Sequence, residues 1–139
     1  MLIIDTNVVS EMMRPAPDRR VIDWLSRQEP GEAHITALTV AEISFGLESL
    51  PDGRRQRDLG RRFAHIVAGG FAGRVLAFDQ QAGLTYGRIM ASRRAAGRPM
   101  SVIDGQIAAI AAVRGAALAT RNVSDFEGCE LALVNPFAT

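Results

Sequence analysis

Five side chains in this sequence could gather around one positive ion: Asp5, Glu42, Asp104, Asn122 and Asp125. Asp5 follows three apolar residues, Leu2 to Ile4, and Val8-Val9 soon resumes the apolar pattern, so a carboxylate stands where a buried strand runs out. Glu42 falls in the first turn of a helix predicted from position 39, and Asp104 in the first turn of one predicted from position 101. Asn122 and Asp125 come just after the apolar run 117–120. Acids that share a cleft repel one another, and a divalent cation is the usual compensation. A ligand set made only of oxygens suits Mg2+ or Mn2+ rather than Zn2+. His34 and His65 lie far apart and have no Cys at ligand spacing, which fits two surface or half-buried histidines.

Each acid also has a purely structural reading. Thr39-x-x-Glu42 fits a capping box, and Ser101-x-x-Asp104 fits a looser form of it. Asp5 could cap a helix that begins near Asn7, and Asp125 could cap a turn before Phe126. Capping accounts for the acids one at a time. It does not account for their falling together at one end of a sheet, and a helix N-terminus that fixes a carboxylate can also present it to a cation.

The elements that would position these residues follow from apolar spacing. Strands are predicted over 2–4, 34–38, 75–78, 117–120 and 131–134. Helices are predicted over 18–27, 39–50 and 54–68, then over 80–96 behind an Asp79 cap, and over 101–114, which is Ala- and Ile-rich and the most buried. Leu84, Ile89 and Met90 are expected to face inward from the 80–96 helix. Pro15-Ala16-Pro17, Pro51-Asp52-Gly53, Gly69-Gly70 and Gly97-Arg98-Pro99 punctuate the pattern. Strands alternating with helices imply an α/β fold, a parallel sheet covered on both faces. Such sheets bind ligands beyond the carboxyl ends of their strands, where the strand order reverses. With the first and fourth strands adjacent, all five oxygen-bearing residues meet there.

Composition narrows the chemistry. The 139 residues fit one domain, and the mean hydropathy of +0.07 is ordinary for a water-soluble protein. No apolar run approaches the roughly 18 residues of a membrane span, and no basic segment leads into an apolar one as in a signal peptide. The single Cys129 excludes an internal disulfide and points to the cytoplasm. All 16 basic side chains are Arg, and there is no Lys. That excludes a P-loop NTPase. It also argues against receiver domains and haloacid-type phosphatases, which share an Asp at the end of the first strand but rely on a Lys.

Four segments, "LIIDTNVVSE", "TALTVAEISFGL", "SVIDGQIAAIA" and "LATRNVSDFEG", occur in order with the ending "NPF". Together they resemble the PIN-domain ribonucleases, most of all the VapC toxins of bacterial type II toxin–antitoxin modules and their FitB-like group. The resemblance covers nearly the whole chain. It implies a PIN-like α/β domain over 1–139, with a central, mostly parallel sheet flanked by helices. It further implies Mg2+- or Mn2+-dependent hydrolysis of RNA in the cytoplasm, inhibition by a cognate antitoxin, and a homodimer that meets operator DNA only through that antitoxin. By motif, Asp5, Glu42 and Asp104 take the family's three acidic positions, with Thr6, Asn7 and Thr120 as supporting polar groups. Many relatives carry Asp two residues after that threonine. Here Asn122 stands in its place, and Asp125, three residues on, is the candidate substitute. On this reading Asp5 and Asp104 are the principal ligands, with Glu42 as a ligand or water-orienting group and Asp125, alone or with Asn122, as an outer or second-site ligand. A rival reading, favoured by Asn122, is a weakly catalytic PIN domain that serves as a regulatory partner in a DNA-bound antitoxin complex.

Arginines cluster in "RRQRDLGRR" at 54–62, and Arg88, Arg93, Arg94 and Arg98 lie on or just after the 80–96 helix. They could hold an RNA backbone through bidentate phosphate contacts or simply form solvated faces. The eight aromatic residues do not interleave with them, so no base-stacking platform is predicted. Ile43, Phe45, Leu47 and Leu50 nearly surround their helix, which would call for a second covering surface, either within the chain or from a partner.

Overall fold

A computed structural model describes residues 1–138. Its centre is a sheet of five short strands: β1 (Leu2–Ile4), β2 (Ala33–Thr36), β3 (Val75–Leu76), β4 (Ala117–Ala119) and β5 (Leu133–Val134). Their order is β3-β2-β1-β4-β5, and every pairing is parallel. Four of the five strands are wholly apolar, as strands covered on both faces tend to be, and β2 alone carries polar residues, His34 and Thr36. β1 is central, and its residues alternate between two cores. Leu2 and Ile4 face a core built with Val8, Val9, Val21 and Trp24, while Ile3 faces one built with Ile107, Ile110, Leu118 and Phe126.

Six helices cover the sheet: α1 (Thr6–Met12), α2 (Arg19–Ser26), α3 (Ala37–Glu48), α4 (Arg54–His65), α5 (Gln80–Ala95) and α6 (Val102–Arg114). A π turn over 66–70 extends α4, and 3-10 turns occupy Val123–Phe126 and Pro136–Ala138. Among the described residues no helix is long and apolar enough to cross a membrane. The caps are local and mostly legible. Asp18, Asp79 and Ser101 each accept a backbone N–H at the start of their helices.

Several expectations change, the 34–38 strand ending at Thr36 and the 131–134 strand keeping only Leu133–Val134. The 39–50 helix begins at Ala37, because the buried Thr36 hydroxyl caps it by accepting from Thr39 N–H at 3.2 Å. The 75–78 strand shortens to two residues, and Phe78 instead meets Tyr86 edge-on, with ring centroids 6.0 Å apart. Leu84 does not face inward and is 70% exposed, because α5 turns Ala82, Thr85 and Arg93 to the interior instead.

The α5–α6 seam bears directly on the acid that begins α6. α6 is the most buried helix, with Gly105 and Ile107 to Ala111 all inside. At Gly105 an added methyl would overlap Met90 Sδ and stand 3.0 Å from the Tyr86 ring. The Met90 and Tyr86 side chains therefore fill the space over Gly105, and a larger residue there would have to displace them. Gly105→Ala should lower stability by about 1–2 kcal/mol, because overpacking outweighs the gain in helix propensity. Gly87→Ala, on the open side of α5, should raise it by about 0.5–1 kcal/mol. Urea unfolding of both variants checks the pair.

Candidate active site

The β1–β4 register pairs Ile4 with Ala119, so the next residues outward, Asp5 and Thr120, are neighbours. Asp5 N–H completes the ladder by donating to Ala119 O at 2.9 Å. The chain then turns into α1 with Asp5 as N-cap, its Oδ1 accepting from Thr6 N–H at 2.8 Å. Its Oδ2 accepts from the Thr120 hydroxyl at 2.7 Å and from Asn7 Nδ2 at 3.0 Å. Asp5 is 4% exposed. Burial raises its carboxyl pKa above the ordinary 3.8; the Thr120 and Thr6 hydrogen bonds oppose this, and the charges of Asp104 and Glu42 add to it.

The capping-box reading of Glu42 fails. Thr36 is the cap, and Glu42 Oε1 accepts the Thr6 hydroxyl at 2.6 Å. Thr6 has one hydroxyl proton and spends it on Glu42, so its 2.9 Å contact with Thr39 Oγ1 is donated by Thr39. Thr39 to Thr6 to Glu42 is thus a directed chain of hydroxyls, with Thr39 fully buried. The backbone of Thr6 holds Asp5 and its side chain holds Glu42. Thr39 was read from the sequence only as a cap; its place three residues before an acid was the signal, and the strand pairing changes its meaning.

Asp104 lies in the first turn of α6, where its N–H donates to the Ser101 hydroxyl at 3.2 Å, as the looser capping pattern predicts. Half-burial raises its carboxyl pKa, Ser101 lowers it, and the negative charges of Asp125 and Glu42 raise it further. Asp125 sits in the exposed 3-10 turn Val123–Phe126, and that turn has no side-chain cap. Asn122 is exposed, and its backbone N–H donates to the Thr120 hydroxyl at 3.1 Å. Asn7 ties the two loops together, since its Oδ1 accepts from Arg121 N–H at 3.0 Å. The structure therefore brings Asp5, Glu42, Asp104 and Asp125 into one electrostatic neighbourhood at the carboxyl end of the sheet, where β1 and β4 mark the reversal of strand order.

Among the described residues, no Arg or His pairs with any of these four acids. Nor, as the side chains stand, is any group of three acidic, His or Cys residues close enough to cage an ion. The donor chemistry still fits a hard divalent cation: the four groups are carboxylates and they repel one another. Glu11 is a further buried acid that the sequence reading passed over, but its charge is answered by Arg14 at 3.3 Å and Arg121 at 3.7 Å. His34 is half-buried and His65 exposed, as expected.

For Asp104 the raised folded pKa means that ionisation costs the fold stability. The cost is absent below the unfolded carboxyl value near 3.8 and grows as pH rises through the folded value. Metal-free Asp104→Asn should therefore melt higher than the parent at neutral pH, with the difference closing as pH falls to 3.8. Melting curves in chelator across that range measure it, and a variant less stable than the parent at pH 7 would overturn the reading.

Comparison with known proteins agrees with this architecture. The PIN domain family model matches residues 2–127. The VapC ribonuclease Y4jK of Sinorhizobium fredii is 39% identical over 137 residues, covering 99% of this chain and 98% of the relative. Toxin FitB of Neisseria gonorrhoeae is 34% identical over the same length, covering 99% of each. The crystal structure of FitAcB from Neisseria gonorrhoeae superimposes with a TM-score of 0.92 over the full length of both chains, at 34% identity. VapBC2 of Rickettsia felis, solved bound to a fragment of its promoter DNA, shares the fold with a TM-score of 0.82 at 19% identity, covering 96% of this chain and 97% of that one. A parallel sheet with carboxylates at its switch point, a matching domain model and two relatives aligned over nearly their full length lead to one conclusion: the chain belongs to the PIN domain family.

Proposed function

We propose that this protein is a Mg2+- or Mn2+-dependent ribonuclease, the toxin of a type II toxin–antitoxin module, silenced by a cognate antitoxin. The observation that carries the reading is the convergence of Asp5, Glu42, Asp104 and Asp125 from four separate elements, with no cationic side chain paired to them among the described residues. Keeping repelling carboxylates together costs stability, and a cation site explains why they are kept. The names of the relatives, a VapC ribonuclease and a FitB toxin, point the same way.

Asp5 and Asp104 would be the principal ligands, with Glu42 and Asp125 beside them. The bound ion would supply charge neutralisation on the scissile phosphate and a more acidic water. The rest of the work falls to the chain. Thr120, Asn7 and Thr6 N–H fix Asp5 in orientation. The Thr39–Thr6 hydroxyl chain holds Glu42 Oε1, leaving Oε2 free for a ligand or a water. Arg93 is buried, which removes it from the arginines that could grip RNA; Arg88, Arg94 and Arg98 keep exposed side chains.

An antitoxin fits the groove that begins at Thr6 and Glu42 and runs between α1, α3 and α4 along Ile43, Leu47 and Leu50. A basic side chain at its acidic end would stand in for the ion's charge, so adding antitoxin should lower Mn2+ affinity. A homodimer is supported by Phe45, Leu84 and Val102, which are 75%, 70% and 58% exposed. Asn122 favours the alternative of a weakly catalytic regulatory partner, and the same assay separates the two.

In antitoxin-free protein with Mn2+, Asp5→Ala and Asp104→Asn should abolish RNA cleavage while circular dichroism stays native. Thr6→Val should cost about 10–100-fold, the usual effect of losing a group that orients a ligand. Cleavage unchanged in Asp5→Ala would sink the assignment. Parent protein that binds Mn2+ but leaves RNA intact would favour the regulatory partner. Light scattering at micromolar concentration should give twice the 15.0 kDa chain mass, and Phe45→Glu with Leu84→Glu should return it to the monomer. A parent monomer would refute the dimer.

A further inference from the structure

The guanidinium of Arg93 is the least expected buried group in the molecule. It lies on the inner side of α5, 7% exposed, and among the described residues no carboxylate pairs with it. A buried charge without a counterion is costly unless dipoles satisfy its donors. Here they are all backbone carbonyls. Nε donates to Arg98 O at 2.7 Å, Nη2 to Asp125 O at 3.1 Å and Nη1 to Glu127 O. Arg98, just beyond the helix, adds Nη2 contacts to Ser124 O at 3.1 Å and to the Glu127 carboxylate at 3.4 Å. Two arginines thus grip the carbonyls of Ser124, Asp125 and Glu127.

The segment they grip has few holds of its own. Its 3-10 turn lacks a side-chain cap, and it is only four residues long, entered through Asp125 N–H to Asn122 O at 3.0 Å. Phe126, 1% exposed, anchors it in the core, but the chain leaves through positive-φ Gly128 and Glu130. On the same face of α5, Tyr86 and Met90 pack over Gly105 in the first turn of α6, which carries Asp104. One helix therefore braces the mounts of two acids that face each other electrostatically.

We propose that Arg93, assisted by Arg98, is a positioning residue that holds Asp125 beside Asp104 as the outer acid of the cation site, so that the acid after β4 works from position 125 rather than 122. This rests on the metal-dependent reading above. Arg93 touches no reacting atom and acts only through the backbone of the turn.

The test uses Mn2+ alone, titrated into the full antitoxin-free chain by calorimetry, with hydrogen exchange of the 123–127 amides read alongside. Asp125→Ala should weaken Mn2+ binding about tenfold. Arg98→Ala and Arg93→Lys should weaken it by a comparable factor, speed exchange in the turn, and add nothing once Asp125 is already Ala. Arg98 is 47% exposed, so its variant will fold even if the Arg93 variant does not. Parent-like Mn2+ affinity in Arg98→Ala and Arg93→Lys, with Asp125→Ala weakened, would overturn the clamp and leave the metal site standing. Losses that add to the Asp125→Ala loss would reduce the arginines to general stabilisers and also overturn it. Parent-like affinity in Asp125→Ala, with Asp104→Asn weakened, would remove both Asp125 and its clamp from the site. Loss of binding in none of the acid variants would instead overturn the metal reading itself.

Discussion

Everything at the working end of this protein depends on keeping one carboxylate, Asp5, where a buried strand ends. Taking a charge out of water costs several kcal/mol unless the lost hydration is replaced. The replacement is three neutral donors, two from the residues that follow Asp5 and one from the end of β4: the Thr6 backbone, the Asn7 amide and the Thr120 hydroxyl. None of them carries a positive charge. A salt bridge would have stabilised Asp5 more simply, but it would also have filled the coordination that a cation needs. β1 lies between β2 and β4, so Thr120 reaches Asp5 from the β4 side, and α3, which follows β2, brings Glu42 to Thr6 from the other.

The same economy of charge extends across the molecule. Positive side chains are plentiful, yet those with visible partners are engaged elsewhere. Arg14 and Arg121 answer Glu11, and Arg121 also lies 3.8 Å from the centre of the Phe137 ring. Arg54 and Arg61 answer Asp58, and Arg62 and Arg74 hold the carbonyls of Met13 and Ala33. Since all basic groups are guanidiniums, each can bind several carbonyls in a fixed plane, which an ammonium cannot do as well. The arginines are thus largely structural ties, and the acidic end of the sheet is left unbalanced.

Capping and chemistry share residues instead of competing for them. Asp5 caps α1 and faces Asp104 and Glu42; Asp104 follows the Ser101 cap by one turn. A helix start fixes backbone direction and hydrogen-bonding partners, so an acid placed there has few conformations left to lose when it acts.

The sequence by itself determined what depends on near neighbours. The apolar runs marked the strands, the Asp79 and Ser101 caps marked helix starts, and the strand ending in Asp5 marked the candidate site. Parallel alternation then implied the switch point that gathers Glu42, Asp104 and Asp125. Long-range pairing decided the rest. Thr36 caps α3 because it ends β2 in the register set by β1, a fact that lies outside the local pattern Thr39-x-x-Glu42. Leu84 points outward and Arg93 inward because α5 is oriented by its glycine-tight seam with α6, whereas hydropathy alone would have exchanged them. Local patterns fix which residues share a helix or a strand. Which face is covered, and by which distant hydroxyl or carbonyl, is fixed only when the elements pack, because those partners lie up to 115 positions apart in the chain.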